Sequence, residues 1–202
     1  MDLNIIYRYF SDNWILILVV FLIIVLTVII RMRMDDNLTL LPSKLSIFPD
    51  AKLARYVRLE RNPAINQPLI LNINEIQVFD NKNKLIENNV RPSLAPQYGN
   101  PNQFGSEFLV DNVLTSRVNN QWRLPHTQNN NNSFMELDLG SSHWISRVRI
   151  VNRNDCCQDR ITKARLVLLD RNRKELCNIP ITKIQNEYQF NFNRNSCILS
   201  PS

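Results

Sequence analysis

Two patterns of hydrophobic and polar positions divide the chain. Residues 14 to 30 read WILILVVFLIIVLTVII, without a charge and without a polar face. As a helix this run spans about 26 Å at 1.5 Å per residue, close to the hydrocarbon thickness of a thin bilayer. It lacks the one-sided apolar stripe of a core or surface-lying helix. Tyr7, Tyr9, Phe10 and Trp14 gather at its start, where aromatic rings favour the headgroup region. A cleaved signal would show a short basic leader and a small-residue cleavage site. Here the leader holds Asp2, Arg8 and Asp12, and the run ends in Arg31-Met-Arg33-Met-Asp-Asp. The pattern predicts an N-terminal tail (1–13), a retained transmembrane helix (14–30) and a linker (31–53).

From residue 54 onwards the period is two. Residues 54 to 61 alternate, with Val57 and Leu59 on one face; residues 69 to 79 change phase near Asn74-Glu75, which predicts a bulge. Residues 134 to 139, 145 to 150, 165 to 169 and 188 to 192 are further short strands, the last with Tyr188, Phe190 and Phe192 in strict alternation. Residues 81 to 120 read as long loops, and no second helical period follows the apolar run. Short alternating strands between polar turns predict an all-β fold, an antiparallel jelly-roll β-sandwich over residues 54–202, behind the one transmembrane helix.

Charge changes this picture little. The formal net charge is +6 and the sequence pI about 9.4, but the positive residues are spread singly along strands and form no block, so nucleic acid is not an expected partner. Orientation is ambiguous. Arg31, Arg33, Lys44 and Lys52 follow the apolar run and only Arg8 precedes it, which places the domain on the cytoplasmic side. Disulfides would favour the opposite side. The four cysteines, Cys156, Cys157, Cys177 and Cys197, all fall in the last quarter; the number allows two disulfides, and equally buried thiols. There is no Gly-rich phosphate loop, no zinc spacing and no nucleophile with a base, so no enzyme is expected. His126 and His143 are the only histidines.

The segment with the most chemistry is Arg153-Asn-Asp155-Cys156-Cys157-Gln-Asp-Arg160, preceded by His126 with twenty-six residues between His126 and Arg153. A His, a spacer of about two dozen residues, Arg-x-Asp around a cysteine pair, then Arg resembles the sugar motif of the F-type, fucose-binding lectins. These belong to the discoidin, or factor V/VIII type C, group of galactose-binding-like β-sandwiches. Phe134-Met-Glu-Leu-Asp-Leu-Gly140, the stretch from Ile145 to Arg153, and Leu109-Val-Asp111-Asn112 resemble the same family. The stretches Ala54 to Arg61 and Asn74 to Asp80 look like the versions found in large DNA viruses of algae and protists.

The resemblance implies a sugar site. His126, Arg153 and Arg160 would hydrogen-bond the sugar, and Asp155 would hold the arginines rigid. A Cys156–Cys157 disulfide would offer a flat stacking surface, with Trp122 against the apolar methyl of fucose. Fixed guanidinium forks and a neutral imidazole suit neighbouring hydroxyl and ring oxygens. A second bond, Cys177–Cys197, would close the C-terminal edge. The family usually holds calcium, and Asp111 with Asn112 would begin that site. The acidic residue expected after the last cysteine is missing, because Ile198 follows Cys197; no cofactor is expected otherwise. The partners implied are the lipid bilayer and a fucose-like glycan. The virus-like sequence points to a virion membrane component. The alternative role is a minor capsid protein that links the inner membrane to capsid proteins, the lectin-like fold serving as a scaffold. Anionic lipid headgroups are a third possible partner for the basic surface.

Overall fold

The computed structural model describes residues 22–27 and 51–199. The expected tail, most of the transmembrane helix and nearly all of the linker therefore lie outside the described residues. Residues 22–27 are helical, and among the described residues no helix is long and apolar enough to cross a membrane. The chain divides into two units, Met1–Ile47 and Phe48–Ser202.

The second unit is mostly β-strand. Its strands are β1 (Lys52–Arg61), β2 (Ile73–Asp80), β3 (Arg91–Ala95), β4 (Arg117–Val118), β5 (Gln121–Trp122), β6 (Phe134–Asn152), β7 (Ala164–Leu169), β8 (Glu175–Pro180), β9 (Glu187–Phe192) and β10 (Cys197–Leu199). All pairings are antiparallel. Eight strands form one sheet along the path β10-β9-β6-β1-β7-β8, with β2 and β3 also on β6. A disulfide joins Cys177 on β8 to Cys197 on β10, the two ends of that path. The sheet is thus nearly closed, as in a galactose-binding-like β-sandwich.

Alternation builds the core. Val57, Leu59, Met135, Leu137, Val148, Ile150, Leu166, Leu168, Tyr188 and Phe190 point into one apolar cluster and are buried. Full burial of a large apolar side chain is worth roughly 1.5–3 kcal/mol, and this cluster is what holds the sheet closed. The bulge expected near Asn74-Glu75 is present, as a register shift between Ile73 and Glu75 opposite β6.

Other expectations are corrected. Residues 134 to 139 and 145 to 150 are not two strands but one, β6. Gly140 adopts φ +76 and residues around it bulge, yet His143 and Trp144 still pair with Ala54 and Leu53. Residues 81–120 are not all loop. They hold β3, β4, a four-residue helix (Pro101–Phe104) and a 3₁₀ turn (Ser106–Leu109). β8 and β10 were not anticipated from the pattern.

β6 gives the fold its functional geometry. β2 begins opposite the last residue of β6, with Ile73 paired to Asn152. β1 ends opposite the first residue of β7, with Arg61 paired to Ala164. Residues 62–72 and 153–163 therefore emerge at the same end of the sheet.

Candidate functional site

At that end β6 stops and its chain turns sharply. Asn152, which is buried, holds the turn: its Nδ2 donates to the carbonyls of Gln158 and Gln185, each at 3.1 Å, and its Oδ1 accepts from the Arg153 amide at 3.0 Å. Cys157 takes a left-handed φ of +56 and caps a 3₁₀ helix, Gln158–Lys163, that carries Arg160. His126 approaches from the loop before β6. It forms a bridge with Asn72, and the neighbouring Thr127 exchanges backbone and side-chain hydrogen bonds with Leu71 at 2.9 Å.

Arg153 is 5 % exposed, which is rare for a charge and demands partners. Its Nε and Nη2 donate to the two oxygens of Asp155 at 2.8 and 2.7 Å, a bidentate pair. That pair drives the Asp155 carboxyl down to about 2; burial opposes the Arg153 charge, but the carboxylate more than offsets it and the guanidinium ends above its ordinary value. The Ser116 hydroxyl lies 3.1 Å from Asp155 Oδ1 and 2.9 Å from Asn74 Oδ1.

Asn72 joins the two arginines. Guanidiniums only donate, so the amide oxygen must face them. In that orientation it accepts from Arg160 Nη1 at 2.7 Å and Arg153 Nη1 at 2.8 Å. The two forks are thereby locked at fixed separation before any ligand arrives, which lowers the entropy lost on binding.

His126 is neutral at physiological pH. Burial lowers its pKa, and the nearby Arg160 and Arg153 charges lower it further, against one opposing hydrogen bond to Thr127. Its Nδ1 lies 2.8 Å from the Thr127 carbonyl. A carbonyl can only accept, so Nδ1 carries the proton and Nε2 is left as an acceptor. The site thus offers spare guanidinium donors beside one imidazole acceptor, a set suited to adjacent hydroxyls.

Aromatic rings form its flank. Tyr98, 47 % exposed, stands 4.4 Å from the imidazole, and Phe104 meets both Tyr98 (5.3 Å) and His126 (5.9 Å) edge-on. Trp122 belongs to this group, 6.3 Å from Phe104, with the Arg117 guanidinium 3.8 Å above its ring and Arg153 at 5.9 Å. Arg117 covers part of Trp122, so Tyr98 is the more open ring.

Cys156 and Cys157 are free, their sulfurs 2.7 Å apart. The expected bond between them is not formed. Adjacent Cα atoms are about 3.8 Å apart across a trans peptide, shorter than the usual disulfide span, so closing this ring strains the backbone. The Cys156 thiol is pushed up by its hydrogen bond to Cys157 and then by burial, which is the reverse of an activated thiolate.

The expected cation site is differently built. Asp111 is committed: Oδ2 accepts from Arg123 at 2.7 and 3.1 Å and Oδ1 from the Val113 amide at 2.9 Å. The Asn112 side-chain oxygen accepts from Gln77 at 3.2 Å. A second carboxylate stands beside them after all, from β2 and not from the C-terminus. Glu75 is buried; its Oε1 accepts from the Asn112 amide at 3.3 Å and its Oε2 has no partner. Burial, with the Asp111 charge adding, raises its pKa to about 8. Among the described residues no group of three or more acidic, histidine or cysteine side chains could hold a metal. With Asp111 held by the Arg123 guanidinium and the Asn112 oxygen engaged by Gln77, these residues do not fit a hard cation, which takes about six or more oxygen ligands.

Sequence reasoning brought His126, Arg153, Asp155, Arg160, Trp122 and the cysteine pair to one end of the domain. It missed Asn72, Ser116, Tyr98, Phe104 and Glu75. Asn72 left one signal, a lone amide inside the apolar run Leu69 to Ile73.

The nearly closed antiparallel sheet, with its arginine-lined end, is consistent with a galactose-binding-like β-sandwich. Residues 109–196 match the family model described as the NedA-like, galactose-binding domain. The chain is also similar to Fucolectin-1 of Anguilla japonica, 32 % identical over 105 residues, or 49 % of this chain and 58 % of that protein. The chain thus matches less than two thirds of that relative's length. Both similarities support the discoidin, F-type lectin fold. No solved structure matches significantly.

Proposed function

We propose that this chain binds carbohydrate and does no catalysis, taking a fucose-like monosaccharide between His126, Arg153 and Arg160. One observation carries the reading: Asn72 locks two guanidiniums side by side, and His126, near enough to feel both charges, keeps one acceptor nitrogen. Tyr98 and the Cys156–Cys157 pair supply surfaces for the C–H face of the ring. The similarity to a protein named a fucolectin supports fucose over other sugars. The apolar run 14–30 supports attachment of the domain to a bilayer.

Calorimetry of the full-length chain in detergent, with L-fucose and fucosylated oligosaccharides, tests the reading. Binding in the micromolar to millimolar range is expected. Failure of every fucosylated ligand at millimolar concentration would sink it.

A further inference from the structure

The 3₁₀ helix Gln158–Lys163 repeats every three residues, so side chains at i and i+3 eclipse. Arg160 and Lys163 stand in that relation. Both line a cleft of about 340 Å³ that neither Arg153 nor Asp155 lines, together with Pro68, Ile70, Gln67 and Asn129. The size is within the range of small-ligand sites.

No carboxylate lines this cleft. Among the described residues neither Arg160 nor Lys163 takes part in an ion pair, although most other arginines of the domain do. Asp159 belongs to the same helix, but it is exposed and does not line the cleft. The walls are preformed. Leu69 and Asn130 exchange backbone hydrogen bonds at 3.1 and 3.3 Å, the Asn62 amide donates to the Lys163 carbonyl at 2.8 Å, and Arg61 donates to the carbonyls of Asn131 (2.7 Å) and Ile65. The composition is that of a subsite: an apolar wall for a sugar ring, two amides for hydroxyls, and two cations that no carboxylate pairs with among the described residues.

We propose that this cleft is a second subsite that takes an anionic substituent, a sulfate ester or a carboxylate, on a sugar linked to the residue held at His126, Arg153 and Arg160. The proposal rests on the glycan-binding reading and narrows it to acidic glycans. Arg160 is common to both subsites, which makes them one continuous surface.

The full-length chain in detergent is titrated with L-fucose, a neutral fucosylated trisaccharide, and the same trisaccharide carrying either sulfate or sialic acid. The acidic form binds about three- to tenfold more tightly than the neutral one, and the advantage shrinks at high salt. Lys163→Gln removes the advantage and leaves L-fucose affinity unchanged, whereas Lys163→Arg keeps it. Which acidic form gains identifies the source of the anion. Equal affinity for neutral and acidic forms, or an advantage that persists in Lys163→Gln, overturns the proposal while fucose binding stands. Failure of L-fucose and of every oligosaccharide overturns the parent reading with it.

Discussion

Glu136 on β6 and Glu75 on β2 are both buried, at 4 % and 1 % exposure, and their surroundings are opposite. Glu136 is bracketed by guanidiniums: Arg58 donates to it at 2.7 Å and Arg173 at 3.0 and 3.1 Å. Glu75 has one amide and an oxygen with no partner. The contrast extends to the regions around them. On the outer face of β1, β6 and β7, Arg55 pairs with Asp138, Arg58 with Glu136 and Glu60, Arg165 with Glu60 and Glu175, and Arg173 with Glu136. Four arginines there meet four carboxylates, and their charge is spent inside the protein. At the loop end Arg153 alone has a carboxylate, and Arg160 has only the Asn72 amide that the two arginines share. Residue type is the same in both places. The balance of partners separates a structural ladder from a recognition surface, because only unspent donors can bind anything else.

The sharpest break in that comparison is Arg153→Met. It removes half of the fixed fork, leaves Asp155 without its main donor and leaves Asn72 with Arg160 alone. Fucose affinity should fall at least about a hundredfold, since two charge-assisted bonds are lost. Stability should fall by roughly 2 kcal/mol, less than for a wholly buried pair because Asp155 is partly exposed. Calorimetry and thermal melts read the two effects separately. Unchanged binding would show that Arg153 is structural, like the ladder arginines.

Glu136→Ala tests the other side. It leaves Arg58 and Arg173 facing one another across an empty position, and should cost about 2 kcal/mol in urea unfolding. Arg173 is half exposed, which limits the loss. Glycan affinity should stay within about twofold of the parent, because Glu136 bonds Arg58 and Arg173 and shares no partner with His126, Arg153 or Arg160. A parallel drop in affinity would mean that the ladder and the site are not separate.

How much of this could be read from the chain depends on the range over which each feature is encoded. β1, β7 and β9 were legible because alternation is local: Val57 and Leu59, or Tyr188, Phe190 and Phe192, declare a buried face by themselves. The bulge at Asn74-Glu75 was legible for the same reason. β6 was misread because Gly140-Ser-Ser-His143 has the composition of a turn, and only pairing with Leu53 and Ala54 carries the strand through it. The spacing of His126, Arg153 and Arg160 located the loop end, but what holds the arginines is not in the motif. Asn72 lies more than eighty residues before Arg153 and reaches it through the β2–β6 register. Glu75 was missed because an acidic residue was sought after Cys197, in sequence, where the fold supplies one from β2.

The smallest effect tests why Glu75 was left unpaired. Its carboxyl titrates near 8 in the folded protein against an ordinary value of 4.5. Between those values the native state holds a proton that the unfolded chain has released. The stability this proton contributes is complete below about pH 4.5 and is lost as pH rises toward 8, by about 1.4 kcal/mol per pH unit at most. Urea midpoints of the full-length chain, read at steps from pH 6 to pH 8, should decline with that slope. Glu75→Gln keeps an oxygen for the Asn112 amide and cannot ionise, so its midpoints should stay flat. Parallel slopes in the two proteins would show that Glu75 is no more strained than Glu136, and the contrast between the outer-face ladder and the loop end would rest on the arginines alone.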